Sequence, residues 1–179
     1  AEIRERAQKL IAASAPADRK KVIDDYQAAL KLKADAVSGR EIFSKNCTTC
    51  HRIGKLGVNV APDIADSRVT TQEALLVNIL DPNRAIDNNY FSYTVITNEG
   101  KILNGILAAE TATSVTLKQA EGKTVTLLRE EIDELHSDGI SLMPVGLEKN
   151  INQQQMADLI SFIKNWRYLE ANIPVSAGQ

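Results

Sequence analysis

Apolar side chains recur at Ile3, Ala7, Leu10 and Ile11 and, after Ser14 and Pro16, at Val22, Tyr26, Ala29 and Leu30. A spacing of three or four places them on one face of a helix. Ser14 and Pro16 suit the end of one helix and the start of the next, so residues 1–37 read as an N-terminal α-hairpin. Its apolar faces must be buried, against the rest of the chain or against a preceding domain. Ser38 precedes a short helix containing Gly39 and Phe43 that runs into Cys47. A loop rich in Gly and Pro follows, and then a helix over roughly Thr71 to Leu80, closed by Asp81-Pro82.

Near residue 90 the period falls to two. Phe91, Tyr93 and Val95 alternate with Ser92, Thr94 and Ile96, and Asn98-Glu99-Gly100 supplies a hairpin turn. Ile102 to Ala109, Val115 to Gln119 and Thr124 to Leu128 continue the pattern, with Glu121-Gly122 as a second turn. Residues 90–135 therefore predict a small antiparallel β meander of four or five short strands. Helical spacing returns at Met156, Leu159, Ile160, Phe162, Ile163 and Trp166, after a Ser141-Leu142-Met143-Pro144 segment. The expected units are 1–37, 38–89, 90–135 and 136–179, and the expected fold class is mainly α with a β insertion.

Composition narrows the function classes. With 179 residues and 44% hydrophobic side chains the chain can bury one ordinary core or two small ones, and no stretch reads as a membrane span. A net charge of −2 with both signs interspersed leaves no basic field for nucleic acid. The first residues, Ala1-Glu2-Ile3-Arg4, lack an initiator methionine and the apolar stretch of a secretory signal. The expectation is that a signal was removed or that the chain is a piece of a longer protein.

Cys47-Thr48-Thr49-Cys50-His51 changes the picture most, because C-x-x-C-H is the attachment signature of a c-type haem. Two thiols separated by two residues can each add to one of the two vinyl groups as thioethers, and a histidine immediately after can put an imidazole nitrogen on the iron. A Cys47–Cys50 disulfide or a thioredoxin-like redox pair would leave His51 unexplained, and no βαβ context surrounds the motif. Zinc would have only Cys47, Cys50, His51 and His136 to choose from, with two adjacent residues forced onto one small tetrahedron. Covalent attachment needs reduced thiols and maturation machinery outside the cytosol, so the expected compartment is periplasmic or otherwise extracytoplasmic.

The order helix, C-x-x-C-H, helix, Met-Pro, helix resembles a class I cytochrome c interrupted by a β insertion. The chain is more similar still to the Pirellula/Verrucomicrobium-type c-type haem-binding domain. That pattern is followed by Gly39, Phe43, Cys47-x-x-Cys50-His51, Ala61-Pro62-Asp63, Ile79-Leu80-Asp81-Pro82, Tyr90, Gly100, Gly105 and Ser141-x-Met143-Pro144-x-Gly146, over residues 38–168. Ala61 stands where that family usually has Gly, and Asn83 where Ser is expected. The resemblance implies a class I cytochrome c-like helical haem domain with one covalent haem c, and it makes the Pro62 carbonyl the acceptor for the second ring nitrogen of His51. The dehydrogenase-like and α-repeat domains to which such modules are often fused do not occur in these residues, so no activity of theirs is carried over.

For the sixth iron position, thioether sulfur stabilises Fe(II) and suits an electron carrier. Met143, in a loop and followed by Pro144, is the preferred ligand; His136 and an open site are the alternatives, and Met156 lies on the apolar stripe of the last helix and is read as core. Phe43, Ile53, Leu56, Ile64, Leu75, Leu76, Ile79, Phe162 and Trp166 are candidates for a dry wall, with Gly39 and Phe43 meeting the last helix near Leu159 and Phe162. Tyr90 and Arg84 are candidates for haem propionates, and Lys45, Arg52 and Lys55 for guiding an acidic partner. The expected function is a single-electron carrier, not an enzyme, that works with a redox protein or a fused dehydrogenase. The alternative is a haem enzyme or gas sensor with a displaceable sixth ligand. The sequence assigns no oligomeric state.

Overall fold

A computed structural model describes residues 19–170, with the side chain of the last of these left out. The first helix of the expected N-terminal hairpin lies outside them. Its second arm is α1, Lys20–Tyr26, continued by a 3-10 turn at Gln27–Lys31. Val22, Ile23, Tyr26, Ala29 and Leu30 turn inward as their spacing demands and pack on the helical core.

That core is built by α2 (Ala36–Asn46), α3 (Gln72–Leu80) and α4 (Gln153–Glu170). Thr71 caps α3, its hydroxyl accepting the Ala74 N–H at 3.2 Å. Gly39 lets α2 and α4 cross closely: a Cβ there would lie 1.9 Å from the Asp158 carbonyl oxygen. One turn on, the Phe43 and Phe162 rings meet at 5.5 Å. Phe43, Leu76, Leu80, Met156 and Leu159 are all but sealed from solvent, and the Trp166 indole N–H is satisfied by the Ala65 carbonyl at 3.1 Å. Between α2 and α3 lies a two-stranded hairpin, β1 (Arg52–Ile53) and β2 (Leu56–Gly57).

The expectation of a mainly helical chain with a small β insertion is overturned by the sheet. β3 (Phe91–Thr97), β4 (Ile102–Glu110), β5 (Ser114–Lys118), β6 (Thr124–Leu128) and β7 (Ile132–Ser141) form one five-stranded antiparallel sheet in the order β6-β5-β4-β3-β7. It has its own core of Val95, Leu103, Val115 and Leu117, separate from the helical one. The molecule is therefore an α+β structure with two cores. β7 carries the sheet past residue 135 to Ser141 and returns to pair with β3, so the arrangement is also not a simple meander.

β7 escapes period-two reading because it is bulged. Thr97 pairs with Ile132 but Ile96 with Glu134, and Tyr93 pairs with Ser137 while Phe91 pairs with Ser141. The additional residues rephase the strand. Ile132 and Leu135 thus reach the same core although they stand three apart in sequence. The last pairing, Phe91 with Ser141, brings the start of β3 beside the end of β7, so the segment after Ser141 returns where the segment before Phe91 left.

Candidate functional site

α2 delivers Cys47. The Asp35 carboxylate caps its N-terminus, accepting the Val37 N–H at 2.9 Å, and Cys47 closes it by donating its N–H to the Phe43 carbonyl at 2.8 Å. The backbone then folds on itself: the Cys50 and His51 N–H groups both donate to the Cys47 carbonyl, at 3.2 and 2.8 Å. Two thiols and an imidazole thus leave one turn of chain. Both cysteines are free and partly buried.

The imidazole is fixed by its far nitrogen. His51 Nδ1 lies 2.8 Å from the Pro62 carbonyl oxygen, which can only accept, so Nδ1 carries the proton and Nε2 keeps its lone pair. Burial pushes the His51 pKa down, and the bond to Pro62 opposes this only in part, so the ring is neutral at pH 7. A neutral imidazole with one uncommitted nitrogen is the form that coordinates a metal.

Pro62 is held in turn by its neighbour. Asp63 accepts two bonds from the Arg52 guanidinium, at 2.8 and 2.7 Å, and the Ala65 N–H at 2.9 Å, while the Ile64 N–H donates to the Arg52 carbonyl at 2.8 Å. The Ala65 N–H first, and then Arg52, hold the Asp63 carboxyl below the usual carboxylate range. The Arg52 cation proposed for a partner is thus already engaged, whereas Lys45 and Lys55 are exposed.

Gly57 is a site residue that sequence reasoning passed over. It has φ 84°, and a Cβ there would sit 2.1 Å from the His51 carbonyl oxygen, so the β1–β2 hairpin can lie against the motif only with glycine. A glycine inside a short turn was the available signal.

The sulfur chemistry favours a neutral product. Burial, and the Cys50 thiol beside it, push the Cys47 thiol up to about 12. A sulfur so placed resists becoming the thiolate that zinc requires, whereas an uncharged thioether meets no such penalty. Among the described residues no group of three or more His, Cys, Asp or Glu is placed to hold a metal ion. Cys47, Leu56, Ile64 and Ile79 are partly buried against the helical core, which leaves apolar surface for a flat hydrophobic cofactor; Phe43, Ile53 and Leu76 are enclosed on all sides and are core. The residues fit a covalently attached haem.

Met143 is partly buried just beyond β7, and it is tethered. Its N–H donates to the Ser141 hydroxyl at 3.1 Å, and the Ser141 N–H donates to the Asn83 side-chain oxygen at 2.8 Å. Asn83, three residues after α3 ends, was noted in the sequence only as a departure from a pattern. Met156 is fully buried in the helical core. His136 lies on β7 with its side chain half exposed, Nδ1 3.1 Å from Glu134 and Nε2 3.4 Å from Asp138. Asp138 also accepts the Ser92 and Thr94 hydroxyls at 2.6 and 2.8 Å, so His136 belongs to a polar network of the sheet. Tyr90 is partly buried and Arg84 exposed.

The family model described as cytochrome c matches residues 36–167, from the first residue of α2 almost to the end of α4. No curated protein matches the chain.

Proposed function

The chain belongs to the cytochrome c family and so carries a covalently attached c-type haem, and from that premise we propose that it is a one-electron carrier held through Cys47 and Cys50 and ligated by His51 and Met143. When bound, the haem supplies the Fe(II)/Fe(III) couple, and His/Met ligation raises its potential. The chain's own part is to hold two ligand atoms still and to keep the cofactor dry. His51 presents Nε2 because Nδ1 is committed to Pro62, and Arg52 and Asp63 keep that carbonyl aimed. Met143 approaches from a segment tied through Ser141 to Asn83, with Pro144 restricting the backbone beside it.

The His51–Pro62 bond is the observation that carries this reading, because a histidine so oriented has one nitrogen left to give. We also assign the chain to the Pirellula/Verrucomicrobium-type haem domain. A sheet between the Cys47–His51 half and the Met143 segment supports that assignment, as do the ordered motif residues. The proposed organisation is an N-terminal helical unit to residue 37, a haem-motif half from 38 to 89, the sheet unit from 90, and the Met143 segment with α4. An extracytoplasmic location and a redox protein or fused dehydrogenase as partner complete the proposal. Among the described residues no helix is long and apolar enough to cross a membrane.

Absorption spectra of the ferric and ferrous protein test it. Low-spin bands in both states, with a thioether-to-iron charge-transfer band in the ferric form and no binding of carbon monoxide, are the expected result. Rapid carbon monoxide binding or peroxidase turnover by the native protein would favour an enzyme or sensor.

A further inference from the structure

We propose that the Ala120–Gly122 turn, at the tip of the β5–β6 hairpin, is a positioning element for the Cys47–His51 loop and through it sets the reduction potential. The inference rests on Cys47 and Cys50 as the points of haem attachment. The loop's own carbonyls find their donors almost entirely nearby. The Cys47 carbonyl accepts the Cys50 and His51 N–H groups, the Thr48 carbonyl the Val58 N–H at 3.2 Å, and the Cys50 carbonyl the Val60 and Ala61 N–H groups at 3.0 and 2.9 Å. All of these come from the same stretch of chain. The Thr49 carbonyl instead accepts the Glu121 N–H, from the sheet, at 2.6 Å.

Glu121 reaches it at some conformational expense. It has φ 64°, and it is the one non-glycine residue with positive φ among the described residues. A side-chain-bearing residue stays in that region only where its surroundings fix it there. Beside it, Gly122 borders the Val58 side chain, near enough that a Cβ added to the glycine would stand 3.6 Å from it. Val58 in turn donates to Thr48, so the turn bonds the Thr49 carbonyl directly and borders the residue that serves the carbonyl next to it. The Glu121 carboxylate points elsewhere, pairing with Lys123 at 2.7 Å, which leaves the backbone N–H as the group that acts. A loop that loses this donor moves more and admits water to the cofactor's edge, and solvent favours the more highly charged ferric state. The potential should therefore fall.

The test uses the full-length holoprotein. Replacing Gln119–Lys123 by Asn-Gly keeps the Lys118–Thr124 pairing as a two-residue hairpin and withdraws the tip from Thr49. Haem should remain attached, the amides of Cys50, His51 and Val60 should exchange roughly five- to tenfold faster, and the potential should drop. Amides of β3 and α4 should keep their wild-type rates, which a general loss of stability would not allow. As point variants, Glu121→Pro removes the donor and should reproduce these effects, whereas Glu121→Asn keeps the N–H, tolerates left-handed backbone and should match wild type. Unchanged loop exchange and potential in the shortened and proline variants would overturn the proposal, as would Glu121→Asn behaving like Glu121→Pro. Denaturing mass spectrometry separates the two readings: haem absent from Cys47 and Cys50 sinks the attachment on which the proposal rests, while covalent haem with an unmoved loop sinks the positioning role alone.

Discussion

Met143, the proposed iron ligand, and Met156, a core residue, are separable by substitution. Met156 is enclosed by the helical core, so Met156→Ala should cost about 2–5 kcal/mol of stability while leaving the low-spin spectrum intact. Met143→Ala should do the reverse: a small change in stability, loss of the thioether charge-transfer band, a lower potential and an iron open to external ligands. A His136→Ala variant that became high-spin while Met143→Ala stayed low-spin would reverse the ligand assignment. Asn83→Ala removes the acceptor of the Ser141 N–H, worth about 1 kcal/mol, and should weaken the same band without abolishing it. An unaltered band in that variant would show that the tether does not position Met143. At this scale the chemistry was legible where residue type and spacing alone determine it, as in Cys47-x-x-Cys50-His51. Pro62 came only by resemblance. The Asn83–Ser141–Met143 relay was not legible, because it joins ordinary polar residues across a long stretch of chain through backbone groups that carry no sequence signature.

Among the elements, α2 and α4 form the tightest crossing. Gly39→Ala would gain about 1 kcal/mol of helix propensity but place a methyl 1.9 Å from a backbone oxygen of α4, a clash that no side-chain rotation relieves. Overpacking of that kind costs on the order of 1–3 kcal/mol, so the variant should melt below wild type, and a Tm at or above it would mean that the helices separate freely. Helix and strand positions followed from periodicity wherever the backbone is regular: α3 ends where Asp81-Pro82 predicted, and β3, β4 and β6 fall close to their expected bounds. β7 was missed for a specific reason. Bulges near Asp133 and Gly139 replace alternation by apolar positions at Ile132 and Leu135 in a run of charged and polar residues, and such a run reads as loop.

For the whole molecule, Arg19 is a fastening point. Its guanidinium grips Glu148 through two bonds, at 3.0 and 2.5 Å, and donates a third to the Leu80 carbonyl at 2.8 Å, so it ties the start of α1 to the end of α3 and to the segment after Met143. The bonds from Arg19 hold the Glu148 carboxyl below the usual range, against a smaller upward push from burial. A carboxyl lowered in the folded state contributes fully above its unfolded value, about 4.3 for glutamate, and loses that contribution as the pH falls through the lowered folded value. Glu148→Gln should therefore be less stable than wild type by about 1–2 kcal/mol at neutral pH, and the Tm gap should close between about pH 5 and pH 3. A gap constant across that range would assign the effect to packing. The presence of two kinds of structure was legible in the sequence; their proportion was not, because β7 carries the sheet past residue 135 through a bulged, mostly polar run that reads as loop. The hydrogen bond from Glu121 to Thr49 also has a consequence in time. Thr49 and Glu121 stand far apart along the chain and on different elements. The Thr49 carbonyl gains this donor only once the β5–β6 hairpin has formed and come to lie against the loop, so a contact between residues far apart in sequence sets this brace late in folding.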